Sequence, residues 1–343
     1  MEENKILLRK QYYPIDKLLS KYLEKYMRAV ALPLQYEDLK HFTASIPCND
    51  ADDNPTLWET VLYSEWDFKE LNESLTRIYS ILKSAGITRY TDHLKVDRID
   101  YCSFGNSQPF RIKILNQIND NHDYFYVKIA DASRVYGLEL EDILSPNKIN
   151  YLVHKNTIIE EHIVGIPGDD FVANHLQQPG HNEVRLAKEF IKFNERCMAR
   201  LLGDMRSYNF VIDMTPDFDQ IQYRIRAIDF DQQCYEGRKS IYLPQFYKEN
   251  NPYVEMAVKL MTVETTKQYQ TEERALMAKR ALLSKYQLKD LLDVMNKQEL
   301  APEAHIEQLK NELADHYEEP KFLRCQTMGQ ILKRNLKTIY MSV

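Results

Sequence analysis

Across residues 15–31 apolar side chains recur at Ile15, Leu18, Leu19, Tyr22, Leu23, Tyr26, Met27 and Val30, the spacing of one helical face, and the pattern stops near Pro33. Residues 66–85 repeat it through Phe68, Leu71, Leu75, Ile78, Tyr79 and Leu82. Residues 1–92 are therefore expected to be a helical extension. The acidic run 49–55 between the two helices lacks the Gly of a calcium loop, and Val61 stands where the bidentate Glu belongs, so it reads as a solvated loop.

From Val96 the period shortens. Val96, Ile99 and Tyr101, then Phe110, Ile112 and Ile114, then Tyr124, Tyr126, Val127 and Ile129 are separated by polar turns and predict three antiparallel strands. Segments 149–154 and 157–165 predict two more. Asn182 can cap a helix whose apolar positions are Ala187, Phe190, Ile191, Cys197, Met198 and Leu201. Residues 209–213, a turn over 214–219, and the alternation of Ile221, Tyr223, Ile225 and Ala227 with Gln222, Arg224 and Arg226 predict a β-hairpin. Residues 232–250 carry Tyr235, Tyr242, Phe246 and Tyr247 without a period and read as a loop, and from Pro252 onward five amphipathic helices follow without a repeat.

A chain of 343 residues, 44% hydrophobic and 28% charged, can bury more than one core. Its formal net charge of −6 argues against non-specific nucleic-acid binding. Five widely spaced cysteines without a Cys-x-x-Cys pair read as reduced thiols, and no histidine has zinc-ligand spacing. Apolar runs fall far short of a membrane span, and the first residues lack the order of a signal peptide, so a cytoplasmic location with no membrane partner is expected.

The candidate chemistry is concentrated in residues 201–231. Mg²⁺ is commonly held by one or two oxygen side chains together with phosphate oxygens. Asn209 and Asp229 sit at the two ends of the expected hairpin and can supply such a pair, while Asp204, on the loop before the first strand, can orient a hydroxyl for attack on a phosphoryl group.

Gly203-Asp204-Met-Arg-Ser-Tyr-Asn209 followed by Ala227-Ile228-Asp229-Phe230-Asp231 resembles the paired motifs of the aminoglycoside phosphotransferase and choline kinase branch of the protein-kinase-like superfamily. One departure is Leu202, where that family commonly has His. The resemblance covers about residues 99–240 and implies an α+β, two-lobed protein-kinase-like fold. Its parts would be the helical extension 1–92, a β-rich nucleotide-binding lobe 93–163 and a helical lobe 164–343. It further implies ATP and Mg²⁺ as cofactors, Asp204 as catalytic base, and Asn209 and Asp229 as metal ligands.

Ser103, Gly105, Asn106 and Ser107 form a small-residue turn that would let backbone N–H groups approach phosphates, although an ordinary hairpin tip explains them equally. Lys128 either snorkels to solvent or, as the resemblance implies, contacts phosphates and pairs with an acid on the next helix, Glu139 or Glu141, with Glu139 preferred. By the same resemblance the backbones of Glu161 and Ile163 would meet the adenine. The expected activity is transfer of the γ-phosphoryl group to the hydroxyl of an unidentified substrate. The alternative is a catalytically weak pseudokinase, a nucleotide-binding or protein-interaction module.

Overall fold

The computed structural model describes residues 10–49, 53–84, 91–104, 106–178, 180–218 and 220–341. The chain is α+β and divides into two compact units. One comprises the chain up to Asp131 together with Ile149–His162; the other comprises Ala132–Lys148 and everything from Ile163 onward.

The first unit holds helix α1 (Lys17–Lys25), strands β1 (Ala44–Asn49) and β2 (Pro55–Leu62), helix α2 (Glu65–Ser84), and strands β3 (Leu94–Tyr101), β4 (Phe110–Asn116) and β5 (His122–Ile129). In the second, helix α3 (Ala132–Leu144) follows β5 in sequence. The first unit then resumes with β6 (Tyr151–His154) and β7 (Thr157–Glu161). Among the described residues its strands make one seven-stranded antiparallel sheet, ordered β1-β2-β3-β4-β5-β7-β6.

Register explains how this sheet is built. Ile99, Ile112 and Phe125 stand in one cross-strand row, and Phe110, Val127 and Ile159 in another. Both rows lie on the face that packs against Leu71, Leu75, Ile78 and Leu82, the apolar stripe of α2. The opposite face is polar: Thr60, Asp100, Arg111, Tyr126 and Glu160 form a row across five strands. Asp100 is fully buried there, and both Arg98 and Arg111 hold it at 2.8–2.9 Å.

The expected helical extension over residues 1–92 is corrected by this sheet, because β1 and β2 are strands within it and β2 pairs with β3. Their side chains are mostly exposed, so no apolar alternation marked them. Helix α1 also ends earlier than its apolar pattern. Met27 takes a left-handed φ of 55°, and the next residues bond to Val153 of β6 instead of continuing the helix. Part of the acidic run, residues 50–52, lies outside the described residues.

In the second unit a two-residue strand β8 (Ile166–Pro167) and a single turn α4 (Gly168–Asp170) lead to α5 (Glu183–Arg200). Asn182 caps α5 as expected, accepting from the Arg185 N–H at 3.0 Å. Then come the hairpin β9 (Phe210–Asp217) and β10 (Gln220–Ala227), followed by α6 (Asn251–Leu260), α7 (Val263–Leu283), α8 (Lys285–Met295), α9 (Glu303–Tyr317) and α10 (Met328–Met341). β9 runs on to Asp217, so the expected turn over 214–219 is mostly strand, and Asp219 lies outside the described residues.

Helix α5 is the axis of this unit, in contact with α6, α7, α10 and the hairpin. Phe190 stacks on Tyr253 at 5.3 Å between ring centres, and Phe193 meets Phe210 edge-on at 5.2 Å. Among the described residues no helix is long and apolar enough to cross a membrane. All five cysteines are free thiols.

Candidate functional site

In the second unit the end of α5 delivers the chain to Asp204 through Leu201, which is in the left-handed region at φ 55°. From there the chain runs beside the segment after the hairpin. Leu202 forms an antiparallel bridge with Gln233, the Gly203 N–H donates to the Gln232 carbonyl at 3.2 Å, and the Cys234 N–H donates to the Leu201 carbonyl at 2.9 Å. Leu202 is fully buried, so packing and backbone bonds hold the loop at the position where the resembled family has His.

Asp204 itself is left-handed at φ 57°. Its N–H donates to the Tyr247 hydroxyl at 3.1 Å, and that hydroxyl donates to the Ile241 carbonyl at 2.9 Å. Arg206 Nε donates to Asp204 Oδ1 at 2.9 Å, and Arg206 Nη1 reaches Glu249 at 3.2 Å. Burial raises the Asp204 pKa, Arg206 works against that rise, and the carboxylates of Asp229 and Glu236 add to it.

The hairpin joins the remaining motif residues. Ala227 pairs with Phe210, and the Ile228 N–H donates to the Asn209 carbonyl at 3.0 Å, so Asn209 lies alongside the residue preceding Asp229. Asn209 Nδ2 donates to the Asp204 carbonyl at 2.7 Å and to its Oδ2 at 3.4 Å. With the amide nitrogen so engaged, its Oδ1 is the side-chain atom able to bind a cation.

Asp229 has a partner that the sequence did not indicate. Arg134 Nη1, from α3, donates to Asp229 Oδ1 at 3.0 Å and to Asp231 Oδ1 at 2.6 Å. The Asp231 N–H also donates to Asp229 Oδ1, at 3.0 Å. The surroundings of Arg134 account for this pairing: almost every residue of α3 is buried, and a guanidinium on a helix buried all round must be paired. Arg206 and Asp231 were likewise not singled out as site residues, and Tyr247 was expected only as one aromatic of a loop, 232–250, that could wall a substrate site.

In the sheet unit Lys128 projects from β5 on the polar face, and its Nζ donates to Glu160 Oε2 at 2.7 Å with both side chains under 10% exposed. Glu160 was not among the acids expected to pair with it. Glu139 and Glu141 both belong to α3: Glu139 accepts from Gln287 at 3.1 Å, and Glu141 ion-pairs with Arg200 and accepts from Asn147 at 3.0 Å.

Ser103 is exposed in the β3–β4 turn. In the same turn Asn106 Oδ1 accepts the Lys10 N–H at 3.3 Å, and the Ser107 carbonyl accepts the Ile129 N–H at 3.3 Å. Gly105 lies outside the described residues. At the end of β7 the Glu161 N–H donates to the Asn150 carbonyl at 3.0 Å, and its carboxylate takes both the N–H and the Nδ2 of Asn150. Ile163 is buried, 8% exposed, at the start of the second unit's next segment.

Among the described residues no group of three or more His, Cys, Asp or Glu side chains is arranged to hold a metal ion. One carboxylate and one amide oxygen suit a hard cation shared with phosphate, the commoner arrangement for Mg²⁺, and do not make a cage from protein alone. Comparison of the chain with protein-family models and with curated proteins finds no match.

Proposed function

We propose that this chain is an ATP- and Mg²⁺-dependent phosphotransferase of the two-lobed protein-kinase-like fold, acting on a substrate hydroxyl. One observation carries the reading: the Asn209 amide is bonded to Asp204, and the Ile228–Asn209 bond sets the residue before Asp229 beside them at one end of a hairpin. The strand order supports it. Within the sheet, β3-β4-β5-β7-β6 is a three-stranded meander followed by a hairpin that returns beside β5, and α3 stands between the two in sequence. That order fits the nucleotide lobe expected from the motif resemblance, with Lys128 on the third strand of the meander.

In this reading Asp204 accepts the proton of the acceptor hydroxyl through its carboxylate. The hydroxyl oxygen then bonds to the γ-phosphorus as the bond to the β–γ bridging oxygen breaks and ADP leaves. Arg206 fixes the rotation of that carboxylate, and the raised proton affinity suits a group that must take up a proton during the reaction. Asn209 and Asp229 would hold Mg²⁺, which when bound neutralises charge on the phosphate oxygens.

The test is ADP release from ATP and Mg²⁺ across a panel of small alcohols and proteins. The expected result is turnover by the native chain and none by Asp204→Asn. Absence of both ADP release and thermal stabilisation by Mg²⁺-ATP overturns the reading.

The second reading is a nucleotide-binding pseudokinase. It is favoured by Arg134, which already supplies a cation to Asp229, and by Leu202 in place of His. It requires thermal stabilisation by Mg²⁺-ATP without ADP release for any acceptor.

A further inference from the structure

We propose that Arg134 is a built-in counter-ion, occupying the carboxylates of Asp229 and Asp231 so that the chain takes up a divalent cation only together with nucleotide phosphates. The proposal rests on the phosphotransferase reading of the Asp229 site. Three observations lead to it. One nitrogen, Nη1, contacts both acids, at 3.0 and 2.6 Å. The Arg134 side chain is 2% exposed and that of Asp231 7%, whereas that of Asp229 is 36% exposed, so the deeper acid anchors the guanidinium and the shallower one faces outward.

The third observation is that backbone packing fixes where the guanidinium lies. One turn along α3, Gly137 lies so close to Phe230 that a Cβ there would be 2.9 Å from the Phe230 Cβ. Phe230 separates the two acids in sequence, so this close approach brings α3 and the Asp-Phe-Asp segment together with Arg134 aimed at both carboxylates. A guanidinium keeps its charge throughout the physiological pH range, so pH does not relieve the arrangement.

An aquo-ion that approaches Asp229 without nucleotide therefore meets a carboxylate already neutralised and a cation that cannot leave. Phosphate oxygens would change this balance, because they add negative charge and oxygen ligands. Removing the guanidinium leaves two carboxylates that had shared one nitrogen, which is the start of a divalent-cation site.

The experiment is a titration of the full chain with Mn²⁺ alone, and with Mn²⁺ plus ADP, following free Mn²⁺ by electron paramagnetic resonance. The native chain is expected to take up Mn²⁺ with ADP and to bind it at least about tenfold more weakly alone. Arg134→Met should gain uptake of Mn²⁺ alone by at least about tenfold, and adding Asp229→Asn should abolish the gain. Arg134→Gln, which keeps hydrogen-bonding capacity without charge, serves where the Met variant does not fold.

Native protein that binds Mn²⁺ equally well with and without ADP overturns the counter-ion whatever the variants do. A folded Arg134 variant with no gain overturns it too. Native protein that binds neither Mn²⁺-ADP nor Mg²⁺-ATP overturns the phosphotransferase reading instead, and in that case the gain or lack of gain in Arg134→Met still decides whether the guanidinium excludes metal.

Discussion

The two units carry their candidate chemistry in different ways. In the helical unit Asp204 and Asn209 are hydrogen-bonded to each other, the Ile228 N–H ties Asn209 to the residue before Asp229, and Arg134 reaches Asp229 from 95 positions upstream. In the sheet unit Lys128 and Glu160 are joined across neighbouring strands, while the turn holding Ser103, Asn106 and Ser107 is tied to Lys10 and Ile129. The contrast shows that spacing anticipates which residues come near one another where a local hairpin sets their separation, and says less where register over a whole sheet decides the partners.

The sharpest way to break the comparison is to remove chemistry from the helical unit without unfolding it. On the phosphotransferase reading Asp204→Asn and Asp229→Asn should each lower turnover by about a thousandfold or more, the first with the melting temperature little changed and the second with some loss because Arg134 keeps only Asp231 as a charged partner. Full turnover by either variant in a clean preparation ends its assigned role. Next is the sheet unit, where Lys128→Met leaves the Glu160 carboxylate buried without its ammonium. Breaking such a pair costs about 3–5 kcal/mol, measured by denaturant unfolding, and the double change Lys128→Met with Glu160→Leu should recover most of it. If the single variant is as stable as the native chain, the pair makes no net contribution to the stability of the sheet.

A smaller effect is expected from Tyr247→Phe. It removes the hydroxyl that accepts the Asp204 N–H and donates to Ile241, and should cost about 1–2 kcal/mol while slowing turnover through a displaced Asp204. Unchanged stability and rate would show that the left-handed turn at Asp204 holds itself.

The smallest effect is a matter of pH. Burial, opposed by Arg206 and reinforced by Asp229 and Glu236, raises the Asp204 pKa, so the acid limb of kcat/KM should lie above the ordinary carboxylate value. With the folded pKa above the unfolded one, the folded chain holds this proton more tightly. The associated stability is present below the unfolded value and is lost as pH rises through the folded one. Asp204→Asn should flatten that part of the stability profile, and Glu236→Gln should move the acid limb of activity downward.

How much of the molecule was legible follows the same division. Helix α2, strands β3 to β5 and strand β10 carry apolar residues on one face at the proper period and form where that period predicts, and Asn182 caps α5, whereas β9 continues to Asp217 through the expected turn. β1 and β2 were hidden because the burial that marks a strand is absent from most of their positions. In the site, Asp204, Asn209 and Asp229 were legible because hairpin pairing is local. Arg134 was not, since its acids stand 95 and 97 positions downstream and only tertiary packing brings them together. Glu160 was missed for a related reason: 32 positions from Lys128, it becomes a partner only once β7 is laid beside β5.

The bridge between Leu202 and Gln233 bears on which substitutions the loop accepts. Main-chain pairing does not depend on side-chain identity, so a loop secured in this way releases position 202 to drift toward any residue that fills the same volume. A volume-conserving change such as Leu202→Met should accordingly leave the course of the loop through Gly203 and Asp204 unaltered.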